Sequence, residues 1–326
     1  MADYYVRPGD GGADAGTAAN PFLTFKQAVA VAASGDNIYI DTVTNGFDII
    51  NNAGGEIDLA SSGTGLVFIH VYGTDGAWNP GTQATIQGEA GDLPVNLLDT
   101  NGHDYWWWHN ITFDGATTYC MYRSAGTTVG MIFEDCAFIN AASTVYGSDN
   151  ISGCSFLRCS FGNATAYGFY RPASGCVFEM CEFYSCNIAI DVNSANVWRY
   201  CVFRDITADM IYCRVSGGAQ DIIGCVFDTS AAGSGIWVHD GTSNLRVRHS
   251  AFTNLNQFGI EVDVAADARN WEDYNGFLNN GADRQNIAVG ANSFTFAADP
   301  YVNRAGNDHT TSDTATNRRR AIQVGV

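Results

Sequence analysis

Eight phenylalanines fall at near-regular intervals along the middle of the chain: Phe113, Phe138, Phe161, Phe183, Phe203, Phe227, Phe252 and Phe277. The steps between them are 25, 23, 22, 20, 24, 25 and 25 residues, about 23 on average. Self-similarity at a period of roughly 20–50 residues marks a solenoid, and it constrains the fold more than any other property of the sequence. The flanks repeat as well. Two residues before each Phe stand Ile111, Cys136, Cys159, Cys181, Cys201, Cys225, Ser250 and Asn275. Five before it stand Trp108, Phe133, Phe156, Phe178, Trp198, Ile222 and Val247. A polar turn follows, as in Phe138-Ile139-Asn140, Phe203-Arg204-Asp205 and Phe252-Thr253-Asn254.

Each period also holds a second, alternating run: GFYR (168–171), AIDVN (189–193), GIWVHD (235–240) and GIEVDV (259–264). Alternation at period two puts one face in and one face out. Phe169, Ile190, Ile236 and Ile260 are expected to point inward, with Val192, Val238 and Val262. Tyr170, Asp191, Trp237 and Glu261 are expected to point outward, followed by Asn193, His239 and Asp263. Leucine is too scarce for leucine-rich repeats. The pattern fits an all-β, right-handed parallel β-helix, in which each coil stacks about 4.8 Å above the last and like residues form ladders. The six prolines (8, 21, 80, 94, 172 and 300) leave nearly all of 95–299 free of a residue that breaks interior ladders.

The ten cysteines follow the coil period and lack the paired spacing of a zinc site. Cys136, Cys159, Cys181, Cys201 and Cys225 are expected to form one inward ladder, and Cys154 and Cys176 to start another. Free cysteine packs as a small apolar residue. Neither a basic start nor an apolar run marks a signal peptide in MADYYVRPGDGG, so synthesis in a reducing cytoplasm without disulfides is expected. No apolar stretch is long enough to span a membrane. The net charge of −18 argues against nucleic acid as a partner, because phosphate would be repelled over most of the surface.

Both ends of a β-helix need covering. Residues 1–36 read as a strand, a Gly-rich loop and a capping helix, with Phe25, Ala28, Val29 and Ala32 at helical spacing between Pro21 and Gly35. NIYI (37–40) is expected to begin a β-helix that runs to residue 296, with GLVFIHVYG (65–73), ATIQG (84–88) and NLLDTNGHDYWWW (96–108) as early coils whose register is open. Residues 297–326 show no periodicity and read as a C-terminal arm ending near Arg318, Arg319 and Arg320.

The stretch DYYVRPGDGG through NPFLTFKQAVAVAASGDNIYI resembles the opening of the pectate-lyase-like β-helix superfamily, and NGHDYWWWHNITFDGA (101–116) resembles one of its coils. The resemblance covers most of the chain as architecture. It implies fold far more than function, since the superfamily spans polysaccharide lyases, glycoside hydrolases, phage tailspikes and non-catalytic virion proteins. Lyases on this fold use Lys or Arg as base, sometimes with calcium. The one lysine, Lys26, lies on the capping helix, and Arg123, Arg171 and Arg214 do not align into one column. No cofactor is implied. Calcium at Asp10/Asp14 or Asp99/Asp104 is the competing reading of loops that are more often plain turns.

The best candidate for sugar contact is the outward strip of Tyr170, Asp191, Trp237, His239, Glu261 and Asp263. Glu261 and Asp263 stand two apart on one strand, roughly 7 Å, a spacing suited to an inverting carboxylate pair. His70, His103, His109, His249 and His309 show no catalytic or metal spacing and read as structural. With so sparse a constellation, the sequence favours a non-enzymatic bacteriophage-type virion protein, a capsid decoration or tail spike. It would be a homotrimer contacting other virion proteins, with the Arg318–Arg320 arm as anchor and cell-surface polysaccharide as a further partner. The alternative is a carbohydrate-active β-helix enzyme, a glycoside hydrolase or polysaccharide lyase, working at the Trp237/Glu261 strip.

Overall fold

A computed structural model describes residues 1–9, 15–44, 48–50, 56–88, 96–214, 218–239, 244–263, 270–303 and 308–311. The chain divides into two compact units, Met1–Thr165 and Ala166–Val326. In each unit, short parallel strands recur coil by coil, as the phenylalanine period demands.

In the first unit, Asp3–Val6, Asn37–Ile40, Ile69–Gly73, Trp106–His109, Ile132–Glu134 and Ser155–Leu157 pair in that order, all parallel. The coil thus begins one strand earlier than NIYI. Ala84–Gly88, Ile111–Asp114 and the start of Ala137–Tyr146 form a second set. Ile57–Asp58, Asn96–Asp99, Tyr119–Tyr122 and the end of Ala137–Tyr146 form a third. These pairings set the register of the described strands within 41–112, which the sequence leaves open. The predicted helix spans Phe25–Val31 and buries Phe25, Ala28 and Val29. Gln27 Oε1 accepts from the backbone N–H of Leu23 and Thr24, which satisfies donors that a helix start leaves over. The Phe25 ring meets Trp108 edge-on at 5.6 Å. No helix among the described residues is long and apolar enough to cross a membrane.

The second unit repeats the scheme. Val177–Glu179, Asn196–Arg199, Gln220–Ile223, Leu245–Arg248 and Trp271–Asp273 form one parallel set. Glu182–Val192 opens two more, followed by Val202–Ile206, Val226–Ser230, Ala251–Leu255 and Gly276–Leu278 in one. The other continues through Ile211–Cys213, Ile236–Val238, Phe258–Val262 and Ala282–Gln285. The arm does not begin as a detached segment. Phe296 and Tyr301 are buried against Val202, Val226 and Ala251, and Tyr301–Asn303 pairs antiparallel with Asp308–Thr311.

The ladders stand as expected. Phe183, Phe203, Phe227, Phe252 and Phe277 stack face to face at 5.0, 4.9, 4.6 and 5.1 Å, and Phe113, Phe138 and Phe161 at 5.0 and 5.3 Å. All ten cysteines are buried thiols outside any disulfide. Thiols of the main ladder donate to carbonyls of the preceding coil, Cys159 to Phe133 at 3.4 Å and Cys201 to Phe178 at 3.4 Å. Burial pushes the Cys136 and Cys225 thiols well above their ordinary range and Cys213 up to about 12, so these are packing groups and not nucleophiles.

One feature the phenylalanine pattern hides is the corner before each Cys-column residue. Asn110, Asp135, Arg158, Met180, Tyr200, His249 and Tyr274 all have φ between 53° and 57°, and Gly224 fills the same place at 66°. A left-handed residue costs an ordinary side chain about 1–2 kcal/mol, which glycine escapes at some cost in chain entropy. Met180→Gly, at an exposed corner, is therefore expected to raise the unfolding free energy by about 0.5–1 kcal/mol in urea titrations. An unchanged or lowered midpoint would mean that the corner is not strained.

Candidate functional site

The strip expected from alternation exists in the second unit. Asp191 pairs with Tyr212, Tyr212 with Trp237, Trp237 with Glu261 and Glu261 with Gln285, so these five form one column across successive coils. His239 and Asp263 lie two residues further on, just past the ends of those strands. The Tyr212 and Trp237 rings lie 4.8 Å apart at 40°, and His239 meets Trp237 edge-on at 5.3 Å.

The polar groups sort into two knots. Asp263 is held by Trp237, whose Nε1 donates to Oδ1 at 2.7 Å, and by His239, whose Nδ1 lies 2.6 Å from Oδ2. Both of its oxygens are engaged, so it orients the indole and imidazole. Glu261 belongs to the other knot. Ser234 Oγ donates to Glu261 Oε2 at 2.6 Å, and the Ser234 backbone N–H donates to Asp209 Oδ1 at 2.8 Å. Ser234 thus anchors two carboxyl groups side by side. Asp209 is only 7 % exposed. Burial, with the Glu261 charge adding to it, lifts its pKa to about 6 against one opposing backbone hydrogen bond. Desolvation combined with a neighbouring carboxylate is the usual way to obtain a carboxylic acid that keeps its proton near neutrality.

Asp191 occupies the outward column but is buried, contrary to expectation. Arg214 Nε binds its Oδ2 at 2.8 Å and Arg171 Nε lies 4.0 Å away, so two guanidinium groups cover the carboxylate. These arginines also stack, Arg214 over Tyr212 at 5.0 Å and Arg171 over Tyr170 at 4.9 Å. Tyr170 therefore stands as the support of Arg171, on a coil apart from the carboxyl knot. Arg318, Arg319 and Arg320 lie outside the described residues, as do Asp10 and Asp14. Of the other suggested cation ligands, Asp104 Oδ1 instead accepts from the Val129 backbone N–H. His109 is structural as read. Its Nδ1 lies 3.3 Å from Glu134, and burial lowers its pKa to about 4.

Asp209 and Ser234 escape the sequence reading because both precede the alternating strand, at the coil corner. The signal that finds them is the coil period: the Met210 backbone N–H donates to the Ser234 carbonyl, which aligns the two corners 25 residues apart.

Comparison with known proteins bears on the architecture. Residues 97–252 match the family model described as right handed beta helix region. Among solved structures, the chain is similar to the pectate lyase Pel9A, with a TM-score of 0.65 and 14 % identity over 97 % of this chain and 88 % of that one. It is similar to a rhamnogalacturonan lyase, with a TM-score of 0.57 and 14 % identity over 93 % of this chain and 91 % of that one. A lacto-N-biosidase from Eubacterium ramulus gives 0.57 and 11 % identity over 91 % and 68 % of the respective chains. No curated protein matches the chain. Identities this low speak for the fold alone, and that fold is the right-handed parallel β-helix.

Proposed function

We propose that this chain is a carbohydrate-active β-helix protein that binds a glycan along the Tyr212–Trp237 strip and hydrolyses it with the Asp209–Glu261 carboxyl pair. The observation that carries the reading is the pair itself: two carboxyl groups fixed by one serine, the more buried one holding its proton up to about pH 6. In this reaction Asp209 donates a proton to the glycosidic oxygen as the bond to the anomeric carbon breaks. Glu261, as the carboxylate, assists at the anomeric carbon, and water supplies the hydroxyl of the new reducing end. The flat faces of Trp237 and Tyr212 offer the apolar contact that a sugar ring takes, while the Asp263 clamp holds the indole in place.

Hydrolysis is favoured over elimination by the state of the cations. An elimination needs an Arg or Lys free to take a proton, and the two arginines beside the strip are bound to Asp191 and stacked on tyrosines. A purely adhesive role, as in a virion attachment protein, would use the same aromatics and make no use of a raised-pKa acid. The virion placement follows from the sparse catalytic constellation in the sequence, and the strip lends neither it nor the trimer support.

The test is a panel of neutral and acidic polysaccharides, scored for binding by affinity electrophoresis and for release of reducing ends. Binding of at least one glycan is expected, weakened about tenfold or more by Trp237→Ala through loss of the stacking face. Retention of full affinity in that variant would remove the strip from the binding surface, and binding without product release would leave adhesion as the function.

A further inference from the structure

We infer that Glu56, Asp58 and Asp99 in the first unit, with the carboxamide of Asn96, form a binding site for a calcium-sized divalent cation. One oxygen from each of the three carboxylates lies within 4.8 Å of the other two. Oxygens that ligate calcium sit about 2.3–2.6 Å from the ion, so two ligands stand at most about 5 Å apart, and the cluster satisfies that limit.

The strand register enforces the crowding. Ile57–Asp58 runs parallel to Asn96–Asp99 with Asp58 directly across from Asp99. Like charges directly opposite one another destabilise a sheet. The chain's one lysine reaches this region but donates its Nζ to the backbone carbonyl of Glu56, at 3.2 Å. Asp99 is fixed from behind, since its Oδ1 accepts from the backbone N–H of Asn101 at 2.8 Å and of Ser124 at 2.9 Å.

A second, independent observation comes from Asn96, which is 7 % exposed. Its Nδ2 donates to Glu56 Oε2 at 3.0 Å, while its Oδ1 is buried without a hydrogen-bond partner. Both atoms belong to one carboxamide, so the orphaned oxygen is buried beside the Glu56 carboxylate with a lone pair to give. A cation answers both anomalies at once: it neutralises the facing carboxylates and supplies the acceptor with a partner. Four oxygens and no nitrogen or sulfur select a hard ion over zinc or copper.

The full-length protein, stripped with EGTA and titrated with calcium chloride by calorimetry, should bind one ion per chain with a Kd of about 1 mM or below, and should melt several degrees higher with calcium than with EGTA. Asp58→Asn and Glu56→Gln, at positions that are not buried, should each weaken binding about tenfold or more while leaving the far-UV circular dichroism unchanged. Absence of saturable binding up to about 10 mM calcium, or variants that bind as tightly as the wild type, would overturn the site.

Discussion

Asp209→Asn is expected to abolish glycan cleavage and, in the same molecule, to raise stability at neutral pH. The two effects have one origin. The folded chain holds the Asp209 carboxyl at a pKa of about 6, above its ordinary 3.8, because burial and Glu261 both disfavour its charge. A raised acid stabilises the folded state only while protonated. Its contribution is complete below about pH 4 and is lost as pH rises through 6, leaving a penalty of about 2–3 kcal/mol at pH 7. Asparagine keeps an oxygen for the Ser234 N–H and carries no charge, so about 1–2 kcal/mol of that penalty should be recovered. Turnover should fall about 100- to 10,000-fold, the usual contribution of general acid catalysis. The wild-type rate should decline above pH 6 as the same proton leaves. Melting curves at pH 4.5 and 7.5 with parallel rate measurements check all three. A variant less stable than wild type at pH 7.5 would show that Asp209 is ionised without penalty, and the acid assignment would go with it.

The largest loss of stability is expected at Glu272. This residue follows Val247 in the inward column that otherwise holds Phe178, Trp198 and Ile222, yet it is a carboxylate and only 2 % exposed. It is saturated with donors: Arg284 Nε at 2.6 Å and the Gly290 N–H at 2.8 Å on Oε1, Asn275 Nδ2 at 2.8 Å and Ser293 Oγ at 2.5 Å on Oε2. Asn275 and Arg284 belong to its own coil and Gly290 and Ser293 to the one that follows, so one side chain ties residues 275–293 to its strand. Glu272→Ala would leave Arg284, largely buried over the Phe277 ring, without its counter-charge. Breaking a buried pair from one side costs about 3–5 kcal/mol. Urea unfolding should report that loss, and hydrogen exchange should show it concentrated in 275–296. Glu272→Ala with Arg284→Ala should be less destabilising than the sum of the single changes; strict additivity would mean that the pair is not coupled.

The solenoid was legible because a parallel coil places each position above its counterpart, so a period of about 23 residues writes the ladder directly into the sequence. Phe203 above Phe183 and Trp198 above Phe178 needed no further information. The register of 41–112 was illegible because its coils vary in length before the phenylalanine column begins at Phe113. The functional strip was half legible. Trp237, His239, Glu261 and Asp263 followed from alternation, but their division into two knots did not, since alternation names a face and not a hydrogen-bond partner. Asp209 lay at a corner where no alternation runs. Asp191 was placed on the right face, yet long arginine side chains from neighbouring coils lie across it, and side-chain reach leaves no periodic trace. Glu272 broke the apolar column, which is what a polar lock inside a ladder looks like from the sequence.

The left-handed corner is occupied in turn by Asn110, Asp135, Arg158, Met180, Tyr200, Gly224, His249 and Tyr274, with a nearly constant backbone shape. Acid, base, amide, thioether, phenol, imidazole and glycine are all accommodated there, so the bend is imposed by the stacking of adjacent coils and not by the residue at the bend. Within each unit the row works as a display rail. Its side chains are free to change in charge, size and chemistry while the coil beneath keeps its course, so new surface recognition can be acquired there, one coil at a time, without redesign of the core.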